Sequence, residues 1–97
     1  MSDGNKHDHD KARMDLIDPH FEESLGHVLG DGAKRYGEYN WRKVEPERYV
    51  AAMHRHLLAI KKGEVFDESG QQHTAHIAAN AMFLHYFLRT TNETSNV

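Results

Sequence analysis

The sequence predicts an all-α protein, a small helical bundle of three principal helices that is completed by oligomerisation. Three segments, 18–30, 46–62 and 72–89, carry apolar residues at helical spacing, and no segment alternates with the period of a strand. The 97 residues are only 38% hydrophobic, so the core is small and a second copy of the chain is expected to cover part of it. The chain contains no cysteine, which excludes disulfides, cysteine-based zinc sites and thiol catalysis.

The first helix is predicted from its start signals and from one apolar face. Asp18 is a favourable N-cap, and Pro19 suits the first helical position. Apolar residues then recur at helical spacing, namely Phe21, Leu25, Val28 and Leu29. We expect Gly30 and Gly32 to weaken or end this helix, with residues 33–37 as a short helical continuation.

The second helix is predicted to begin at Pro46 and to end near Gly63, after two lysines. Its core stripe is predicted to consist of Tyr49, Met53, Leu57 and Ile60. His56 falls within this stripe, whereas His54 and Arg55 point away from it.

The third helix is predicted to be apolar on nearly every side. Its first face combines four apolar residues with three polar ones, namely Ile77, Leu84, Phe87, Leu88, His73, His76 and Asn80. The opposite face carries Ala75, Ala78, Ala79, Met82 and Tyr86. Because a helix that is apolar all round is buried on both sides, we expect this second face to pack on another subunit.

We expect one nucleotide-binding domain over residues 13–89, between disordered tails at 1–12 and 90–97. The first tail contains the sequence H-D-H-D, for which a solvated tail is favoured over metal chelation. No apolar run approaches the roughly 20 residues that span a bilayer, and the first residues do not resemble a signal peptide. We therefore expect a cytoplasmic protein without a membrane partner. The net charge of −3 argues against binding to duplex nucleic acid.

Three polar residues on the core-facing side of the third helix form the pattern H-x-x-H-x-x-x-N, namely His73, His76 and Asn80. Burying such groups unpaired costs about 1–3 kcal/mol each, so each of them needs a partner. They either bond one another, a backbone carbonyl or water, or they line a ligand or metal pocket. Because three of them are in register beside an acidic loop, the pocket is the favoured interpretation.

The acidic loop carries an E-x-x-D pair, Glu64 and Asp67, of the kind that holds Mg²⁺ together with substrate phosphates. A solvated acidic loop is the alternative, and both interpretations stay open. Arg55 suits a phosphate because its planar guanidinium makes paired hydrogen bonds. His56 is either a satisfied core histidine or a part of the pocket.

The stretch G-A-K-R-Y-G-E-Y-N-W-R-K at 32–43 concentrates cationic and aromatic side chains. It is predicted to bind phosphate through Lys34, Arg42 and Lys43, to stack on a base through Tyr36, Tyr39 or Trp41, and to bond the base edge through Asn40. For Trp41 alone, anchoring the loop on the core is the better interpretation. The chain has no glycine-rich phosphate loop of the G-x-x-x-x-G-K-[ST] kind and no Ser/His/Asp set for a hydrolase nucleophile.

Several motifs occur in order: G-A-K-R-Y-G-E-Y-N-W at 32–41, R-H-L-L-A at 55–59, G-E-V-F-D-E-S-G at 63–70 and H-T-A-H-I-A-A-N at 73–80. Over about residues 11–88 the chain resembles a phage-associated family of small all-α proteins, the N-terminal domain of dATP/dGTP diphosphohydrolases of the MazZ type. The matching positions are Gly32, Ala33, Lys34, Tyr36, Gly37, Asn40, Trp41, Arg55, His56, Leu57, Gly63, Glu64, Asp67, Ser69, Gly70, His73, His76 and Asn80.

The resemblance implies a phage-encoded, oligomeric, nucleotide-handling protein of the all-α NTP-pyrophosphatase type. The implied activity is release of pyrophosphate from a purine (d)NTP with Mg²⁺ or Mn²⁺, in the cytoplasm of an infected bacterium. The related MazG kind usually carries E-x-x-E on one helix and E-x-x-D on the next. This chain has no E-x-x-E in 46–62, and His73 and His76 occupy positions where carboxylates are expected.

Two hypotheses follow for the site. In a diphosphohydrolase, the catalytic residues are Glu64, Asp67, His73 and His76, the metal ligands are Glu64, Asp67 and Glu38, and the ligand-binding residues are Lys34, Tyr36, Asn40, Trp41, Arg42, Lys43, Arg55, His56 and Asn80. In the alternative, the same pocket binds a nucleotide without metal and without cleavage. Such a phage protein would sequester a host nucleotide or an immune signalling nucleotide as an anti-defence function.

Overall fold

A computed structural model of the chain describes the backbone of residues 10–95 and the side chains of residues 10–91. Its three α-helices are α1 (Pro19–Tyr36), α2 (Pro46–Lys61) and α3 (His73–Ser95), with 3-10 turns at Met14–Leu16 and Asn40–Lys43. The described residues contain no strand, only an isolated antiparallel bridge between Phe66 and Gln72. The all-α class and the three-helix bundle are confirmed. The greater part of the predicted first tail, residues 1–9, lies outside the described residues.

Helix α1 is longer than predicted, because it passes through Gly30 and Gly32 and ends only at Tyr36. A glycine inside a helix costs about 1 kcal/mol but keeps its backbone hydrogen bonds, so these two positions weaken the helix without ending it. At the other end, the Asp18 carboxylate accepts a hydrogen bond of 3.0 Å from the backbone N–H of Phe21, as predicted for an N-cap.

Helix α2 ends in a glycine-based turn that leads directly into the acidic loop. The backbone N–H of Gly63 donates to the Ile60 carbonyl at 2.9 Å, and the N–H of Glu64 donates to the Ala59 carbonyl at 3.0 Å. Gly63 has a φ of 95°, a conformation that side chains disfavour. This Schellman arrangement fixes where Glu64 leaves the helix.

Helix α3 is the centre of the bundle, since α1, α2 and the second 3-10 turn all pack against it. An aromatic cluster holds the turn in place: Trp41 stacks on Phe83 at 4.8 Å and meets Tyr86 edge-on at 5.1 Å. The buried Tyr49 lies 4.8 Å from Phe83, and its hydroxyl donates to the Trp41 carbonyl at 2.7 Å. Within the described part of the chain, no helix has the length and apolarity needed to cross a membrane.

The face of α3 that was predicted to contact another subunit packs inside the chain instead. Ala75 and Ala79 are only 1% and 2% exposed, because small side chains there allow close approach of neighbouring elements. Leu88 and Leu57, by contrast, were predicted in the core and are 68% and 46% exposed. Oligomerisation stays a prediction, and Leu57 and Leu88 are two of the exposed apolar side chains available to an interface.

Candidate functional site

A cleft of about 920 Å³ opens between the C-terminal half of α1, the following loop, the start of α2 and the middle of α3. Its size is within the range of pockets that hold small ligands. Its polar and aromatic lining residues are Asp31, Arg35, Tyr36, Glu38, Tyr39, Asn40, Trp41, Arg48, Tyr49, Ser69, His76, Asn80 and Phe83. The cleft therefore brings part of the basic aromatic stretch to two residues of the H-x-x-H-x-x-x-N pattern.

The loop between α1 and α2 forms one wall of the cleft and has two unusual backbone conformations. Gly37 has a φ of 97°, and Tyr39 is in the left-handed region with a φ of 61°. A non-glycine residue there is uncommon, so its surroundings must hold it in place. The Arg42 guanidinium does so, because it lies over the rings of Tyr39, Trp41 and Tyr86 at 4.3, 5.2 and 5.0 Å.

The structure places the predicted phosphate-binding and base-binding residues in different surroundings. Tyr36, Asn40 and Trp41 line the cleft, together with Glu38. Trp41 is half-buried against Phe83, which agrees with an anchoring role for its ring. The four predicted cationic residues are not among the residues that line the cleft, namely Lys34, Arg42, Lys43 and Arg55.

Arg35 and Arg48 line the cleft, although neither was predicted from the sequence as a site residue. A signal for Arg35 was present in the sequence. Continued at helical spacing from Val28, the inner face of α1 passes through Gly32 to Arg35 and Tyr36, and all four residues line the cleft. The expectation that α1 ends near Gly30 hid this continuation.

Three histidines from two helices form the histidine cluster (His56, His73 and His76) at one end of the site. The Nδ1 atoms of His56 and His73 lie 2.8 Å apart, at hydrogen-bond distance. The rings of His56 and His76 are parallel within 6° and stack at 4.8 Å. His56 thus belongs to a polar group around the start of α3, and of the three histidines His76 also lines the cleft.

The carboxylate loop (residues 64–72) is folded by its own hydrogen bonds, which position two side chains beside His76. The Asp67 backbone N–H donates to the Gln71 carbonyl at 2.9 Å, and Asp67 Oδ1 accepts from the Ser69 N–H at 2.6 Å. Ser69 Oγ then lies 3.0 Å and Asp67 Oδ1 3.3 Å from the same atom, His76 Nε2. Because both contacts use one nitrogen, this is not the relay of a Ser/His/Asp triad, in which the two partners use opposite nitrogens.

Electrostatics favour a neutral His56 next to an ionised Asp67. Burial lowers the pKa of His56, and repulsion from His76 and His73 lowers it further. Burial acts to raise the pKa of Asp67, but hydrogen bonding by Ser69 and the nearby imidazoles outweigh it and hold that pKa below its ordinary value. An unprotonated imidazole beside a carboxylate can accept a proton or bind a metal ion.

His73 is buried and holds an unsatisfied polar atom. Its Nε2 is the one buried side-chain nitrogen or oxygen of the described residues that has no hydrogen-bond partner. The Glu64 carboxylate lies 3.6 Å away, which is beyond hydrogen-bond distance. An unpaired buried polar atom is costly, so it marks a place where a ligand or a small movement completes the structure.

The described residues contain one group of imidazole and carboxylate side chains close enough to share a metal ion, namely His56, Asp67 and His73. Their ligand atoms lie within 4.8 Å of one another. Of the carboxylates predicted as metal ligands, Asp67 belongs to this group and Glu64 lies beside His73. Glu38 is instead part of the α1–α2 loop and lines the cleft.

Fold and site together define a small all-α protein with a cleft between an aromatic, arginine-bearing wall and His76, which connects the cleft to the histidine cluster and Asp67. The chain belongs to the family described as dATP/dGTP diphosphohydrolase, N-terminal, which matches residues 1–96. The family resemblance is thereby confirmed.

The chain is also similar to a curated protein of Salmonella phage PMBT28 named dATP/dGTP diphosphohydrolase. The two are 41% identical over 86 residues, which cover 88% of this chain and 30% of that protein. The chain therefore spans about 30% of the length of the curated relative it matches. No solved structure shows significant similarity to this chain.

Proposed function

We propose that this chain binds a purine nucleoside triphosphate in the cleft and acts in its hydrolysis to the monophosphate and pyrophosphate. The observation that carries the proposal is the cleft itself, which joins Tyr36 and Asn40 to His76 and Asn80. A curated phage relative named for dATP and dGTP supports the choice of a purine nucleotide. Since the chain spans about 30% of that relative, cleavage by this chain itself is part of what we propose.

The two walls of the cleft suit the two ends of a nucleotide. Tyr36 and Tyr39 line the cleft and are 68% and 60% exposed, so their rings are accessible for stacking on a base. Arg35 and Arg48 are the cations of the lining and suit the phosphate oxygens. Asn40 offers an amide that can bond the base edge.

The chemistry proposed for the other end is attack of water on the phosphoanhydride. The oxygen of water bonds to the α-phosphorus, and the bond from that phosphorus to the bridging oxygen breaks, so that pyrophosphate leaves. The proton lost by water goes to a base. His76 is the candidate base, because it lines the cleft and lies 3.3 Å from the Asp67 carboxylate, which orients its ring. When present, a divalent cation supplies neutralisation of the phosphoryl charge.

The dependence on Mg²⁺ that the resemblance implies is not supported by the donor atoms. Mg²⁺ prefers six oxygen ligands in octahedral geometry. The group that can share an ion here contains one carboxylate and two imidazoles, His56 and His73. These residues do not fit a dedicated Mg²⁺ site.

A second candidate function is nucleotide binding without cleavage. It is favoured by one specific feature, since Glu47 at the start of α2 is the only acidic residue of that helix. The helix therefore lacks the carboxylate pair with which MazG-like enzymes bind their metals. A protein of this kind would use the same cleft to sequester a purine nucleotide or an immune signalling nucleotide.

Incubation of the purified chain with purine and pyrimidine nucleotides, with and without a divalent cation, tests both functions. We expect purine triphosphates to raise the melting temperature, because a ligand that binds the native state stabilises it. Ion-exchange chromatography of the mixtures then separates the functions, since an enzyme yields monophosphate and pyrophosphate and a binder returns intact nucleotide. If no linear or cyclic purine nucleotide shifts the melting curve at millimolar concentration, the nucleotide site is rejected.

A further inference from the structure

We propose that His56, Asp67 and His73 form a binding site for a divalent transition-metal ion of the Zn²⁺ type. The site lies where α2, the carboxylate loop and the start of α3 meet. It goes beyond the proposed nucleotide function, because it depends only on side chains of this chain and requires no nucleotide.

The geometry of the three residues suits one shared ion. Their candidate ligand atoms all lie within 4.8 Å of one another. Two nitrogens bound tetrahedrally to Zn²⁺ at about 2.1 Å are separated by about 3.4 Å. The Nδ1 atoms of His56 and His73 are 2.8 Å apart, so they need to separate by only a fraction of an ångström to bind the ion.

The donor types select the class of metal. Imidazole suits Zn²⁺ and its neighbours among the transition metals, whereas carboxylate, carbonyl and water suit Mg²⁺ and Ca²⁺. Two of the three donors are imidazoles, His56 and His73. Three protein ligands also leave one tetrahedral position open, as in catalytic rather than structural zinc sites.

The buried His73 also has an unsatisfied Nε2, whose protonation would be fixed by a metal bound to Nδ1. At 2.8 Å, one of the two Nδ1 atoms donates to the other, and the tautomer decides which of them is the donor. If His73 is the donor, its Nε2 is an acceptor that no group satisfies. A metal on Nδ1 would place the proton on Nε2, and a small movement would then bring the Glu64 carboxylate, 3.6 Å away, within hydrogen-bond distance. Metal-bound histidines commonly donate their other N–H to a carboxylate in this way.

Neighbouring groups hold the third ligand in place. The Asp67 carboxylate accepts a hydrogen bond of 2.6 Å from the Ser69 backbone and lies 3.3 Å from His76 Nε2. Both contacts fix the orientation of the Asp67 carboxylate. The site thus has an ordered carboxylate before any metal arrives.

The test is calorimetric titration of the full chain with ZnCl₂ and, separately, with MgCl₂. The background carries His7→Ala and His9→Ala, because the H-D-H-D segment of residues 7–10 can bind metal by itself. We expect one Zn²⁺ per chain, with an affinity for Mg²⁺ at least about 100-fold weaker. Equal affinity for the two metals, or no binding of Zn²⁺ at micromolar concentration, overturns the proposal.

Substitutions locate the ion. We expect His56→Ala and Asp67→Asn each to weaken Zn²⁺ binding by about 100-fold or more, since each removes a ligand. His54→Ala is the matched control, because His54 is an exposed histidine on the same helix and is expected to leave the affinity unchanged. Zn²⁺ affinity that survives both ligand substitutions, or that falls equally in the control, overturns the assignment.

Co²⁺ provides a readout that does not depend on stability. Bound tetrahedrally, Co²⁺ gives strong visible absorption bands, which we expect in the parent chain and not in Asp67→Asn. This nearly isosteric change in the loop keeps the shape of the side chain, and circular dichroism checks that the helices remain. An unchanged Co²⁺ spectrum in a folded Asp67→Asn chain contradicts the site.

Discussion

The Nδ1 atoms of His56 and His73 lie 2.8 Å apart, although the two residues are 17 positions apart in the chain. One is on α2, and the other is the first residue of α3. The contact exists because the glycine turn at Gly63 and the hydrogen-bonded carboxylate loop return the chain to the side of α2. The same turn brings Asp67 and Ser69 next to His76.

We expect the metal-free chain to lose stability as the pH falls through the titration range of His56. Burial depresses the pKa of folded His56 below its ordinary value of 6.5, so the unfolded chain binds a proton first as the pH is lowered. The stabilising contribution is therefore present above 6.5 and is lost as the pH falls through the depressed pKa. Thermal unfolding in the presence of a chelator, measured from neutral to mildly acidic pH, checks this.

The matched variants for this pH prediction are His56→Gln and His54→Gln. The first removes the shifted group and is expected to flatten the pH dependence, whereas the second changes an exposed histidine and should leave it unchanged. His73, His76 and Asp67 also face His56, so the difference between the two variants is the quantity to compare. An equal slope in both variants would show that His56 does not carry the effect.

Two glycine substitutions in and after α1 are expected to have opposite effects. Gly37→Ala should destabilise the chain by about 1–3 kcal/mol, because a φ of 97° with a ψ of 152° is a region that essentially only glycine adopts. Gly26→Ala lies inside the helix and should stabilise it by up to about 1 kcal/mol. A Cβ meets no atom within 4 Å at either site, so backbone conformation alone decides the sign. Urea denaturation of both variants measures it.

Ala79→Arg is expected to destabilise the single chain rather than to break a dimer. Ala79 is 2% exposed within the chain, so an arginine there has to displace packed side chains and brings a charge into a buried position. The control is Ala81→Arg, at an exposed position of the same helix. We expect a large fall in melting temperature for Ala79→Arg alone and the same fall at every protein concentration. A fall that disappears on raising the concentration would restore the subunit interface.

Much of the fold follows from local sequence signals. Asp18 and Gly63 mark helix ends because a cap or a left-handed turn is decided by residues close in sequence. Helical periodicity also places His73 and His76 on one face, but it does not give the angle or the shift between two helices. The contact of His73 with His56 therefore emerges only from the packed structure.

The predicted end of the first helix and the predicted subunit contact of the third helix were wrong for a similar reason, because packing within the chain is not visible in local sequence. Gly30 and Gly32 are poor helix formers locally, yet packing of α1 on α3 carries the helix past them. The alanine-rich face of α3 is apolar and small, which fits an interface within one chain as well as one between chains. Sequence periodicity cannot distinguish these two arrangements.

Two neighbouring cations distinguish the phosphate site predicted from the sequence from the one that the structure indicates. Arg35 lines the cleft and Lys34, which precedes it, does not. We expect Arg35→Ala to weaken purine triphosphate binding by about 10-fold or more, because a hydrogen bond to a charged group contributes about 1.5–3 kcal/mol. Lys34→Ala should have little effect. Comparable losses in both variants would indicate general electrostatic attraction instead of a defined phosphate site.

The most direct test of purine nucleotide binding in the cleft is a titration of the isotope-labelled chain with dATP or dGTP, followed by ¹H–¹⁵N correlation spectra. Binding is predicted to shift the backbone amide signals of residues 35–41 and 76–83 together, because both segments contribute to the cleft lining. Signals of residues 19–24, at the far end of α1, should stay in place. Shifts confined to other parts of the chain, or no shifts at millimolar nucleotide, would contradict the account.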